Sequence, residues 1–472
     1  EKNASIKLES SGPVSAVIRI EGDYITHDGE ALARHITRLK FSAGRPEVEA
    51  THTLILTRDT NQVWFRDVGW EFETAVGDNP AALFSLSPVS SAKTMKVSLD
   101  GEKTANMLQK KGVSFGLRPN PRYIYRWNRP EPSTQMAPYM HGRYESEIRV
   151  TGKGAPLYEG EAMGDWAALE GKKAGFMVSC RDAAAQHPKE FEISQKKVNL
   201  KLFSSASGKE LDFRMGALIK NWGLNPLEKM DSYDKVPKNV LEDYVAFISK
   251  HSINAVGLAK THELIISPFV SSDNAASASR LHSGQVFAHV SPEWIRETEV
   301  MGAIHPRDTE RFPLEETVID KVFRRLVEPL CGGPRGGFID YNAGPHVLLH
   351  SWRSGSYSVR SDSWYLYSRS GDRGIREFAQ GTNRAFLDNN IAHCNAKNKI
   401  LGLFVGEALS AGTPRGRNRI GDLPLYWQGT ADRYELTTVV NLDQALIDYY
   451  LTGYRRAGDI MSNFSLAARE NL

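Results

Sequence analysis

In VEATHTLILT, the residues Val48, Ala50, His52, Leu54 and Leu56 occupy alternate positions. Successive side chains of a β-strand point to opposite faces, so this two-residue period marks a strand with one buried face. The same patterning recurs in AVIRIEG, ARHITRLKF, KTMKVSL, SEIRVTG, GFMVSC and VNLKLFSS, separated by Gly, Pro, Asn and Asp turn clusters. So many short strands in the first ~215 residues predict a large antiparallel β-sandwich. His52 alternates with aliphatic residues and reads as a hydrogen-bonded core histidine.

Near Asn221 the period changes. Pro237 suits the first turn of a helix whose apolar face carries Leu241, Tyr244, Val245 and Ile248. Pro313 opens another, with Val318, Ile319, Val322, Phe323 and Leu326 on its apolar side, and a third carries Val439, Leu442, Leu446 and Tyr449. Two stretches resemble each other: LYSRSGDRGIREFA (Leu366 to Ala379) and YYLTGYRRAGDIMS (Tyr449 to Ser462). In both, an aromatic helix end meets Ser/Thr-Gly, then arginines and a new helix, with the glycine as a left-handed cap. Recurring helix–Gly–helix hairpins build α/α toroids. The expected chain is multidomain α+β: an antiparallel β-sandwich over residues 1–220, then an α/α toroid over 221–472 that is incomplete within these residues.

Composition excludes more than it selects. With 59 basic and 56 acidic residues the net charge is +3, too even for nucleic-acid or membrane binding by long-range electrostatics. A local basic patch can still take an anionic substrate. No apolar run approaches the ~20 residues of a membrane span. Cys180, Cys331 and Cys394 lack CxxC spacing, so they form neither a zinc motif nor a disulfide framework. A start at Glu1 with no leader fits a removed signal peptide or a trimmed fragment, and the expected location is secreted or periplasmic.

GPVSAVIRIEG, FSAGRPEVEATHTLIL, CRDAAAQHPKEFEI, GLAKTHELIIS and DSWYLYSRSGDRGIREFAQ…LDNNIAH occur in one order. That ordered set resembles the exo-rhamnogalacturonan lyase family, the YetA-like proteins. The resemblance implies a central β-sandwich followed by a C-terminal α/α toroid. It also implies cleavage of a uronic-acid polysaccharide by β-elimination, working from a chain end. The family pattern has histidines just before the second hairpin, where this chain has LTTVVNLDQ, with Val439 and Asn441.

A uronate lyase must neutralise the substrate carboxylate, remove the adjacent carbon-bound hydrogen and protonate the leaving oxygen. Arg, Lys, Asn, Gln or a divalent cation such as calcium can do the first; His and Tyr suit the others. GFIDYNAGPHVLLHSWRSG gathers these types. Asn342 and Arg353 are candidate carboxylate holders, Tyr341 and His346 candidate base and acid, and Trp352 offers a flat face to a sugar ring. His346 and His350 would share one face if the segment after Pro345 were helical. Without a third ligand they define no metal site.

In AKTHEL, Lys260 and His262 share a strand face and are candidate catalytic residues. Arg181 and His187, in RDAAAQHPKE, are candidate substrate contacts from a sandwich loop; Tyr426 and Trp427 form a candidate aromatic wall, and His393 and Arg433 are lesser candidates. Two alternatives stay open. A glycoside hydrolase would use two carboxyls among Asp340, Asp362 and Asp388. A non-catalytic glycan binder would fit the replacement of histidines by Val439 and Asn441. No GxSxG, phosphate-binding or dinucleotide glycine motif is present.

Overall fold

The computed structural model describes residues 2–58, 62–87, 93–101, 103–111, 114–119, 136–141, 145–151, 154–161, 163–208, 257–270, 288–326, 345–346, 351–352, 359–389, 393–394 and 443–471. Its early strands are β1 (Lys2–Ser11), β2 (Ser15–Ile25), β3 (Ala31–Ser42), β4 (Val48–Leu56), β5 (Val68–Glu73), β6 (Ala81–Ser85) and β7 (Thr94–Ser98). There follow β8 (Ala105–Lys111), β9 (Ser114–Pro119), β10 (Met136–His141), β11 (Glu145–Val150), β12 (Tyr158–Gly160), β13 (Trp166–Glu170) and β14 (Gly175–Cys180). The last are β15 (Glu190–Ile193), β16 (Lys197–Phe203), β17 (Ala259–Phe269), β18 (Pro345–His346) and β19 (Ser351–Trp352).

Two antiparallel sheets form the expected sandwich. One has nine strands in the order β1-β2-β3-β4-β17-β14-β13-β6-β7, the other six in the order β12-β11-β8-β15-β16-β5. Between them lies one apolar core, in which Ala50, Phe84, Val178 and Leu264 of the first sheet meet Met107, Ile148, Phe191 and Leu200 of the second. Every run identified by its alternation is a strand here. His52 is 1% exposed, takes Thr37 Oγ1 as partner at 2.8 Å and packs edge-on to Trp70, as its place among aliphatic residues predicts. Cys180 and Cys394 are free and buried; Cys331 lies outside the described residues.

One strand comes from beyond residue 220. β17 sits between β4 and β14, antiparallel to both, with Leu264 opposite Ala50 on one side and Cys180 on the other. The sandwich therefore takes a central strand from the segment that the sequence assigns to the helical region. Just before it, Gly257 has φ +90°, and a Cβ there would lie 2.4 Å from the Cys394 carbonyl oxygen. Only glycine permits that approach, which pins residues 393–394 to the sheet through the His393 N–H to Gly257 carbonyl bond.

Among the described residues six α-helices follow: α1 (Pro292–Thr298), α2 (Pro313–Leu326), α3 (Val359–Ser370), α4 (Arg373–Asn389), α5 (Asp443–Thr452) and α6 (Arg455–Asn471). α3 packs on α4 and α5 on α6, with α5 also crossing α3 and α4. The repeated stretches are the two hairpin turns. Gly371 (φ +68°) and Gly453 (φ +72°) both adopt the left-handed cap, their N–H groups donating to Tyr367 and Tyr449 carbonyls at 2.7 and 2.9 Å. Among the described residues the helices form packed hairpins rather than a closed ring.

Two predicted helix faces are corrected. On α5, Leu446 and Tyr449 are 43% and 38% exposed, while Gln444, Ala445, Ile447 and Asp448 turn inward. Asp448 is held there by Asn383 Nδ2 at 2.7 Å and Thr452 Oγ1 at 2.7 Å, so hydrogen bonding and not hydropathy orients the helix. On α2, Val318 is 52% exposed and Glu316 is buried against Arg369. The helix expected after Pro237, and Val439 and Leu442, lie outside the described residues.

Candidate functional site

β17 has two faces with different surroundings. Lys260 and His262 are 3% and 2% exposed and point into the sandwich, where His262 pairs across the strands with His52. Burial, aided by the charges of Lys189 and Lys260 and by His52, holds the His262 imidazole well below its ordinary pKa, so it is neutral. Thr261 and Glu263 point the opposite way, toward the helices. Thr261 gives its N–H and hydroxyl to the two Asp388 carboxylate oxygens at 2.7 Å each, docking α4 on the sheet. Glu263 is held by Arg181 on one oxygen and Arg384 on the other, both at 2.8 Å.

A second seam joins α6 to the sheet edge. Asp459 accepts from Arg38 at 2.7 and 2.8 Å and from Arg19 at 2.6 Å, and Glu9 grips the other side of Arg38 at 2.8 and 2.9 Å. Arg19 and Arg38 stand directly opposite on β2 and β3, a repulsive pairing that these two carboxylates offset. Burial works against ionisation at Asp459 and Glu9, but the arginine bonds outweigh it and keep both carboxyls below their ordinary range.

Between the two seams opens a cleft of about 460 Å³, within the ~300–1,000 Å³ of small-molecule sites. Its floor is the outer face of β3, β4 and β17, including Arg38, Lys40, Thr51, Glu263 and Ile265. Its wall is α4, which presents Arg376, Gln380 and Arg384 at four-residue spacing, one stripe of a helix. Its roof is the second hairpin turn, Thr452 to Arg456. The lining holds seven cationic side chains (Arg38, Lys40, Arg45, Arg376, Arg384, Arg455, Arg456) against three carboxylates (Glu47, Glu49, Glu263).

Several groups in or behind the cleft have set roles. Tyr454 lies under the Arg384 guanidinium, 5.1 Å from its ring centroid, and burial raises its phenol above the ordinary pKa, so it keeps its proton. His393 is buried and held well below its ordinary pKa by burial and by Arg456. Its Nε2–H donates to the Leu387 carbonyl at 2.8 Å, which leaves Nδ1 to accept from Arg456 Nη2 at 3.0 Å. His393 thus steadies Arg456 from behind.

The structure separates the residues the sequence grouped. Arg181 stands behind Glu263; His187 is buried in the sandwich and 3% exposed; Lys260 and His262 face away from the cleft. His346 and Trp352 lie on the short ladder β18–β19, where His346 opposes Ser351, so the backbone at His346 is a strand and not a helix start. Tyr341, Asn342, His350, Arg353, Tyr426, Trp427, Arg433 and Asp340 lie outside the described residues, as do Val439 and Asn441. No group of three or more His, Cys, Asp or Glu among the described residues is arranged to hold a metal, and no described helix is long and apolar enough to cross a membrane. The residues missed were Glu263, Gln380, Tyr454 and the arginines of α4. The spacing of Arg376, Gln380 and Arg384 in GIREFAQGTNRA was the available signal.

The sandwich and its helical partner define a class of chain, and comparison adds a family likeness for one part of it. Residues 2–81 match the model of the PcRGLX-like protein central beta sandwich domain. A curated Bacillus subtilis (strain 168) protein, "Uncharacterized protein YetA", is 34% identical over 74 residues, 16% of this chain and 9% of that protein. Among solved structures, a "putative aldose 1-epimerase" from Klebsiella pneumoniae subsp. pneumoniae MGH 78578 overlaps 60% of this chain and 58% of its own, at 12% identity and TM-score 0.25. Another of that description from Escherichia coli K12 overlaps 56% and 69%, at 10% identity and TM-score 0.19. Both scores are too low to define a shared fold.

Proposed function

We propose that this chain is a polysaccharide lyase that cleaves a uronic-acid glycan by β-elimination, working from a chain end. The observation that carries the reading is the cleft between the sheet and the helical hairpins, rich in guanidinium groups and reached by a protonated phenol. The likeness of residues 2–81 to the PcRGLX-like sandwich supports it. The helical hairpins belong, in this reading, to an α/α toroid that carries the cleft, and the protein works outside the cytoplasm.

Elimination needs the substrate carboxylate neutralised so that the hydrogen on the neighbouring carbon becomes acidic. Arg376, Arg384 and Arg456 offer planar forks for that charge, worth most where water is excluded. A base removes the C5 hydrogen, its electron pair forms the C4–C5 double bond, and the C4–O bond breaks. Tyr454, which keeps its proton, is the proposed donor to the departing oxygen. Tyr341 and His346 are the proposed groups for abstraction, with Asn342 and Arg353 as further carboxylate contacts. The hydrolase alternative is weakened by Asp388, which commits both oxygens to Thr261, and by Asp362, which is exposed.

The test is direct. The protein is incubated with a panel of uronic-acid polysaccharides beside an active control lyase, and ultraviolet absorbance of new C4–C5 unsaturation is followed. A rise is expected on at least one. Reducing sugar without unsaturation selects hydrolysis, and binding without either product selects a non-catalytic glycan binder.

A further inference from the structure

Two side chains lining the cleft are buried yet incompletely bonded. Gln380 is 3% exposed, and its Oε1 has no hydrogen-bond partner among the described residues. Arg456 is 1% exposed; His393 occupies its Nη2, while its Nε–H has no acceptor among the described residues. A buried acceptor or donor left unsatisfied destabilises the fold, more so when the group is charged. Other described side chains, such as Trp166 and Gln444, also bury an unbonded polar atom, but Gln380 and Arg456 do so beside one cleft.

The two deficits are complementary. Gln380 Oε1 needs an O–H or N–H donor; the Arg456 Nε–H needs an acceptor, best an anionic oxygen. A single ligand carrying both a hydroxyl and a carboxylate or sulfate oxygen would satisfy them together. A simple anion without hydroxyls satisfies only Arg456; a neutral sugar fills both, but with an uncharged oxygen that bonds the guanidinium more weakly than an anionic one. Gln380 also stands one turn from Arg376 and one turn from Arg384 on α4, so a donor bonded to it lies between two further cations.

We propose that Gln380 and Arg456 form a recognition subsite for one hydroxylated acidic sugar unit, Gln380 accepting from a ring hydroxyl and Arg456 donating to the acid group. The subsite rests on the acidic-glycan reading of the cleft and shares Arg456 with the proposed elimination, while Gln380 takes no part in that step. Gln380 is here a specificity residue whose amide is kept at a cost to stability.

The experiment is calorimetric titration of the full chain with trigalacturonate, with the neutral galactose trisaccharide and with a sulfated galactose oligosaccharide, alongside thermal unfolding. Wild type is expected to bind at least one acidic sugar and to bind the neutral one at least tenfold more weakly. Gln380→Met should weaken acidic-sugar binding about tenfold while leaving the unfolding midpoint level or higher, because it removes an unsatisfied amide without a cavity. Arg456→Met should erase the preference for acidic over neutral sugar; if that variant fails to fold, Gln380→Met alone decides. A Gln380→Met protein that binds as wild type, or that unfolds several degrees earlier with unchanged binding, overturns the subsite and makes Gln380 structural. Failure of wild type to bind any acidic sugar overturns it as well. Binding as expected with no unsaturated product leaves the subsite standing and removes the lyase reading.

Discussion

The interior of the sandwich and the seam between its first sheet and the helices both bury ionisable side chains, and they do so in opposite ways. Inside the sandwich, burial disfavours the charged form: His52 is pushed down to about 3, and His262 and Lys189 are held well below their ordinary values. Lys189 keeps its place by donating Nζ to the Gln186 and Leu202 carbonyls at 2.6 Å each. In the seam the arginine and carboxylate charges of the Asp459–Arg38–Glu9 cluster are retained and paired, although the His393 imidazole nearby is held well below its ordinary value. In a core closed on both sides by sheet the neutral form is the cheaper state; a seam bordering an open cleft can recruit carboxylates from two elements. The lesson is that burial alone does not say whether a residue is charged. What packs against it does.

Breaking the seam should have the largest effect. Asp459→Ala leaves Arg38 and Arg19 facing each other with only glutamates on one side, and a loss of about 3–5 kcal/mol is expected in urea denaturation. A loss near zero would mean that the seam is solvated and the contrast false. Next comes acid. The unfolded chain takes up protons at its histidines below about 6.5, whereas His52 in the fold refuses one until about 3. Stability therefore falls as pH drops across that window, while Asp459 and Glu9, with depressed carboxyls, keep their contribution until pH passes below 3.8 and 4.5. His52→Gln should flatten the acid slope by about 1.4 kcal/mol per pH unit. Denaturation curves at stepped pH for both proteins read this out, and identical slopes would refute the neutral-core account. The smallest effect belongs to the exposed Lys40–Glu49 pair, whose side chains are 45% and 52% accessible. Lys40→Gln should change stability by less than ~0.5 kcal/mol, and a larger loss would show that the cleft mouth is more buried than the seam contrast implies.

Where one periodicity decides burial, the sequence was readable. VEATHTLILT declares β4 because its even face is buried from Ala50 onward, although Thr53 and Ile55 on the other face are buried as well. The hairpin turns were equally plain, since a positive φ at Gly371 and Gly453 demands glycine. The place of β17 in the sheet was hidden: its pairing with β4 joins residues some two hundred positions apart, and no local pattern encodes a partner. The helical faces failed for another reason. On α5 the inward residues include Gln444 and Asp448, and Asp448 is held by a hydrogen bond from Asn383 on α4. The site suffered similarly. Parity correctly separated Lys260 and His262 from Thr261 and Glu263, but could not tell which side faced the cleft.

The late arrival of β17 bears on how the chain is made. At ~5–20 residues per second, the roughly 80 residues between Cys180 and Ala259 take several seconds to synthesise. Until they emerge, the first sheet is two separate pieces, with β4 and β14 each presenting an unpaired edge. Such edges invite pairing with other chains. A nascent chain of this protein is therefore a candidate client for a chaperone. A piece cut after residue 220 would retain an open slot, one that the added peptide AKTHELIISPF is shaped to fill.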